Sequence, residues 1–168
     1  NASHQTTRAL CALEPDLIIN VGTAGAINKD CHGMLEVTKV IQRDMMVEPF
    51  AKRGVTPFCL HPAAYYPLQS NNQYKKINTD NDPVICGTGD SFVSAEDLWL
   101  LENKVDIVDM ELFAIATVAY QFNIPWRSFK FISDEANSAA SKKWQQEISN
   151  GIEQFNTIID EICMLDRC

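Results

Sequence analysis

Three short apolar runs, residues 17–21 (LIINV), 83–86 (PVIC) and 126–132 (WRSFKFI), each lead directly into a small or polar turn. Runs this short are strands rather than helices, and turns of this composition end them. Residues 36–42 form a further strand candidate. Helical patterns lie before, between and after these runs. The first covers 3–13, with Ser3 or Thr6 as cap and Ala9, Leu10 and Leu13 facing inward, before Glu14-Pro15-Asp16 breaks it. The second opens at Glu111 and reaches Phe122, with Leu112, Ile115, Ala116 and Ala119 at helical spacing. The last carries Trp144, Ile148, Ile152, Phe155, Ile159 and Ile162 at steps of three or four. Strands alternating with helices imply an α/β fold around a parallel or mixed sheet. If the three strands are neighbours, the turns at Gly22, Gly87 and Ser133 line one rim, where ligands bind in such sheets.

Two carboxylates stand at that rim in unlike settings. Glu111 opens a helix, and Asp134 follows the end of a strand. As a pair they suit binding a polyol and protonating a leaving group. Each also has a structural reading: a first-turn acid favoured by the helix dipole for Glu111, and an N-cap for Asp134. The segment Gly22-Thr23-Ala24-Gly25 reads as a tight turn or as a backbone nest for an oxyanion or a ribose, and it matches neither a P-loop nor GxGxxG. In Gly87-Thr88-Gly89-Asp90-Ser91-Phe92, glycines permit close backbone approach, and Phe92 is available to stack on a planar ring or to pack as a buried side chain. Arg43-Asp44 reads as a solvated strand end, with pocket lining as the alternative. His4, His32 and His61 share no partner and read as surface or structural. Residues 43–82 are irregular and suit a flap, an insertion or an interface.

The 168 residues suggest one domain, long enough to bury a core without covalent staples. A formal net charge of -8 argues against nucleic acid or an anionic membrane as partner. The six cysteines show neither CxxC pairs nor metal-ligand spacing, so buried free thiols in a reducing cytoplasm are expected. No apolar run approaches the ~18–20 residues of a membrane span, and there is no signal-peptide pattern. The chain opens on NASHQTT without an initiator Met, so a fragment or a processed product is expected.

Taken together, PDLIINVGTAGA (15–26), RDMMVEPF (43–50), CGTGDSFV (86–93), VDMELFAIA (108–116) and FKFISDEAN (129–137) resemble the purine nucleoside phosphorylase/uridine phosphorylase superfamily. Within it they look closest to methylthioadenosine/S-adenosylhomocysteine nucleosidases, and order and spacing agree over nearly the whole chain. The resemblance implies a central mixed β-sheet, partly barrel-like and flanked by helices, in a single domain over 1–168 that lacks the family's N-terminal strands. It implies hydrolysis of the N-glycosidic bond of an adenine nucleoside by a homodimer that needs no metal or organic cofactor. By position, Asp134 would protonate N7 of the purine and Ser133 would help orient it. Phe92 would stack on the base, and the backbone of Val93 would bond its edge. Met110 and Glu111 would hold the ribose, Glu111 through the 2′ and 3′ hydroxyls. Thr23, with Ala24 and Gly25, would face the anomeric centre and the attacking water. Val47 and Phe50 match positions that cover the 5′ substituent of the partner subunit's ligand. Lys130 stands at a substrate-site position where the family often bears Arg. The family's water-activating Glu lies in a segment before the helix that opens this chain. Two alternatives stay open: a phosphate-dependent phosphorylase, with Arg43 as the best-placed phosphate ligand, and a non-catalytic nucleoside-binding member.

Overall fold

The computed structural model describes residues 1–58, 63–67, 83–134 and 152–160. The chain builds α1 (Ala2–Leu13), β1 (Ile18–Ala26), β2 (Met34–Glu36), β3 (Lys39–Gln42), β4 (Ala64–Tyr65), β5 (Ile85–Thr88), α2 (Leu98–Glu102), β6 (Ile107–Asp109), α3 (Leu112–Phe122) and β7 (Trp126–Asp134). Residues 152–160 are also helical. The strands form one seven-stranded sheet in the order β2-β7-β1-β6-β5-β3-β4. It is mixed: β1 runs parallel to β7, and β5 parallel to β3 and β6, whereas β1 and β6 are antiparallel. This is the mixed sheet with flanking helices that the motifs imply.

The core lies between the sheet and α3, which contributes Leu112, Ala116 and Ala119 along one stripe. The helix stops where Asn123 turns left-handed (φ 54°) and its N–H bonds back to the carbonyls of Ala119 and Tyr120. Helix α1 packs on α3. A second apolar cluster joins Leu100 of α2 to Ile41, Val105 and Val108.

Several expectations need correction. Gly22-Thr23-Ala24-Gly25 is not a turn: β1 continues through it in register with β7, from Ile18↔Trp126 to Gly25↔Asp134, with an irregularity between Ala24 and Gly25. The strand expected over 36–42 is two strands on different partners, β2 on β7 and β3 on β5. The chain crosses between them at Val37 and Thr38, whose N–H groups bond to Ser128 O and Val84 O. Of the inward positions expected on α1, only Leu10 is buried; Ala9 is exposed, and Leu13 is 75% exposed. On the helix at 152–160 the buried residue is Ile158, against Phe129 and Met34, while Ile152 and Ile159 face outward. Trp144, Ile148 and Ile162 lie outside the described residues. The free thiols are not uniformly buried: Cys86 is, Cys31 is half-buried and Cys11 is exposed.

Candidate active site

The sheet's register explains why a cavity forms where it does. Strands β1 and β6 run in opposite directions, and the last residues of β1 pair with the short β6, Gly25↔Val108 and Ala26↔Ile107. Strands β5 and β7 lie parallel to β6 and β1 respectively. The carboxyl ends of all four therefore meet. Around that junction lies a cavity of about 460 Å³, lined by Thr23, Ala24 and Gly25 of β1, Ser91–Val93 after β5, Val108–Glu111 at the β6–α3 turn, Ser133–Asp134 closing β7, and Arg43. That volume lies in the range of small-molecule sites.

Asp134 is the last residue of β7 and is buried. The Ser133 hydroxyl donates to Asp134 Oδ2 at 2.9 Å and lies 3.4 Å from Ala24 O, so the serine fixes the carboxyl against β1. Glu111 occupies the N-cap position of α3 but makes no capping bond. Asp109 does that work: its Oδ2 accepts Leu112 N–H at 3.0 Å, which leaves the Glu111 side chain exposed at the cavity. Phe92 and Met110 also stand there unpacked, 53% and 42% exposed.

Under this rim Asp109 is the hub of a buried network. Its Oδ1 accepts the Thr88 hydroxyl at 2.5 Å, and Thr88 Oγ1 accepts Phe113 N–H at 3.0 Å. Its Oδ2 pairs with Lys130 Nζ at 2.7 Å. Burial pushes the Asp109 carboxyl up. The Lys130 charge and the bonds from Lys130, Thr88 and Leu112 outweigh this and hold it below the usual carboxylate range.

Arg43 and Asp44 clasp the loop that carries Phe92. Arg43, expected as a solvated strand end, is 3% exposed. Its Nε donates to Gly87 O, its Nη1 to Ser91 Oγ, and its Nη2 to the carbonyls of Gly89 and Ser91. Asp44 Oδ2 accepts both the N–H and the hydroxyl of Ser91. Despite opposing desolvation, these bonds, with that from Gln42 and the nearby Arg43, hold the Asp44 carboxyl low. Gly89 is required by this clasp, because a Cβ there would come 2.5 Å from Asp44 Cγ.

Of the residues singled out in the sequence, Thr23, Ala24, Gly25, Phe92, Val93, Met110, Glu111, Ser133 and Asp134 come together around the cavity. Lys130 is not in its lining; it lies beneath, paired with Asp109. Val47 is half-buried and Phe50 is 77% exposed, both outside the lining. His4 and His32 are exposed and away from the cavity, and His61 lies outside the described residues. Sequence reasoning missed Asp109, Ser91 and Val108. An Asp three residues before the first apolar helical position is an N-cap signal and marks Asp109. Among the described residues no group of three His, Cys, Asp or Glu side chains is arranged to hold a metal ion.

Known proteins are similar to this chain in sequence and in fold. A 5'-methylthioadenosine/S-adenosylhomocysteine nucleosidase of Haemophilus influenzae (strain PittEE) is 31% identical over 96% of this chain and 74% of its own length. The protein of that name from Haemophilus ducreyi is 29% identical over 99% of this chain and 75% of its own. Among solved structures, the Helicobacter pylori nucleosidase with butyl-thio-DADMe-Immucillin-A superposes with a TM-score of 0.82 at 23% identity, covering 95% of this chain and 75% of that one. The futalosine hydrolase of Helicobacter pylori also gives 0.82, at 21% identity over 95% of this chain and 74% of that one. The profile of the phosphorylase superfamily matches residues 1–163, and the chain belongs to that superfamily.

Proposed function

We propose that this protein hydrolyses the N-glycosidic bond of an adenine nucleoside of the methylthioadenosine/S-adenosylhomocysteine type, releasing adenine and a ribose derivative. The observation that carries this reading is the meeting of Phe92–Val93, Met110–Glu111 and Ser133–Asp134 around one cavity. A stacking face, a diol-binding carboxylate and a proton donor are three of the groups the reaction needs; the attacking water also gives up a proton to a base, the role that the resemblance assigns to the family's Glu. Cleaving the C–N bond builds positive charge on the ribose and negative charge on the base. Asp134, oriented by Ser133, gives its proton to N7 and neutralises the departing adenine. Glu111 accepts hydrogen bonds from the 2′ and 3′ hydroxyls, and its charge favours the cationic ribose. Phe92 stacks on the base, and the Val93 backbone bonds its edge. Thr23, Ala24 and Gly25 face the anomeric carbon and the water.

Water as nucleophile, rather than phosphate, is supported by Arg43. Its Nε, Nη1 and Nη2 all donate to the loop at Gly87, Gly89 and Ser91, which leaves little of the guanidinium to hold a phosphate. We further read the chain as a single domain that works in the cytoplasm as a homodimer. The exposure of Met46, Phe50 and Phe58 supports an interface on that side, where Val47 and Phe50 would cover the partner's 5′ substituent. No described helix is long and apolar enough to cross a membrane.

Adenine release from methylthioadenosine, followed with and without added phosphate, tests the reading. Equal release in both is expected. Release only with phosphate would move the protein to phosphorolysis, and folded protein that releases no adenine would overturn the assignment.

A further inference from the structure

Among the described residues, Lys130 is the most deeply buried charged residue outside the cavity lining. It is 1% exposed and sits in the middle of β7, in register with Gly22 on the neighbouring β1. A Cβ on Gly22 would lie 3.5 Å from Lys130 Nζ. The lysine runs over Gly22 of β1 and reaches Asp109 on the next strand, β6, where the two side chains are almost wholly buried at 2.7 Å. Two charges taken out of water are costly unless their geometry is fixed and their remaining valences are filled. On the Asp109 side they are filled by the Thr88 hydroxyl and the Leu112 N–H. That N–H belongs to the first turn of α3, one residue beyond Glu111.

We infer that the Lys130–Asp109 pair is a positioning device for ribose: it locks the Met110–Glu111 turn against β5, β6 and β7 and so sets the site's affinity for nucleoside over free base. This rests on the reading of the cavity given above. Asp109 ties the turn from both sides. Its carboxylate holds Leu112 N–H, and its carbonyl accepts Gly89 N–H at 3.2 Å, which joins the turn to the base-side loop. Lys130 fixes that carboxylate in place and also offsets its charge. Without the lysine, Asp109, Glu111 and Asp134 would bring three carboxylates to one cavity. Lys130 acts through Asp109 and is a positioning residue, not a substrate ligand.

The test compares two affinities in the same protein, for adenine and for a C-nucleoside analogue of methylthioadenosine, whose C–C glycosidic bond is not hydrolysed. Asp109→Asn and Lys130→Met are each expected to weaken the nucleoside about tenfold and leave adenine unchanged, as fits loss of a charge-assisted hold. Lys130→Arg keeps a cation opposite Asp109 and is expected to retain nucleoside affinity. Should a single variant fail to fold, the neutral pair Asp109→Asn/Lys130→Gln removes both charges together and gives the same comparison. Parallel loss for adenine and nucleoside would overturn the inference, since that is what a general packing role produces. Unchanged affinity for both would overturn it too. If the unaltered protein binds neither compound, the reading of the cavity itself fails, and the inference falls with it.

Discussion

In the proposed reaction, Asp134 and its neighbour Ser133 carry the proton transfer. The carboxyl is buried at the end of β7 and takes one hydrogen bond from the serine. Asp134→Asn keeps the shape and removes the proton donor, so turnover is expected to fall by about 10²–10⁴-fold while thermal stability stays near that of the parent. Full activity in that variant would remove Asp134 from the role. Ser133→Ala should cost less, about tenfold in kcat, because it loses only orientation. Steady-state rates on both variants, with melting curves beside them, check the pair. Both acids of this site were visible in the sequence through the motifs that carry them, because each alone has an ordinary structural reading, as a first-turn acid or an N-cap. Asp109 was not, and for Arg43 pocket lining was only the alternative to a solvated strand end. An Arg-Asp dipeptide after a strand looks solvated, and nothing local reveals that Arg43 meets carbonyls 44 to 48 positions away. Asp109 caps α3 in place of Glu111, a choice made by the turn's geometry and by Lys130 arriving from another strand.

Among the elements, the loop after β5 depends on a single backbone position. Gly89 lies under the Asp44 carboxylate, and any side chain there displaces either the loop or Asp44. Gly89→Ala is expected to destabilise the protein by about 1–3 kcal/mol, the usual cost of overpacking, and to weaken adenine binding as Phe92 shifts with the loop. A denaturant titration together with adenine binding would check this, and unchanged adenine affinity would contradict the clasp's role. Element boundaries were the part the sequence hid. Glycines in β1 look like a turn, yet the strand runs on through them, paired residue for residue with β7. The split of 36–42 into β2 and β3 was equally hidden. Each half has strand character, and only the choice of partner, β7 or β5, separates them.

Across the whole molecule, the meeting of strand ends concentrates carboxylates, and the fold handles them by pairing. Asp109 is held low chiefly by Lys130, Asp97 by its bonds and charge contact with Arg53, and Asp44 by Ser91, Gln42 and Arg43, each against the opposing effect of burial. A carboxyl whose folded pKa lies below its unfolded one contributes stability that is fully present above the unfolded pKa. The contribution shrinks as pH falls and is gone once pH passes below the folded pKa. Unfolded Asp titrates at about 3.9, so stability should be flat through neutral pH and should fall away below about pH 4. Asp109 dominates this loss, because its partner and bonds are buried, whereas the Arg53–Asp97 pair is partly exposed and is screened by salt. Melting temperatures followed from pH 7 down to about pH 3, at low and high salt, check the argument. The expected result is a steep acid-side fall that salt alters little. A melting temperature that stays level to pH 3 would show that the buried pair does not link protonation to folding. A fall abolished by salt would assign the effect to surface pairs instead.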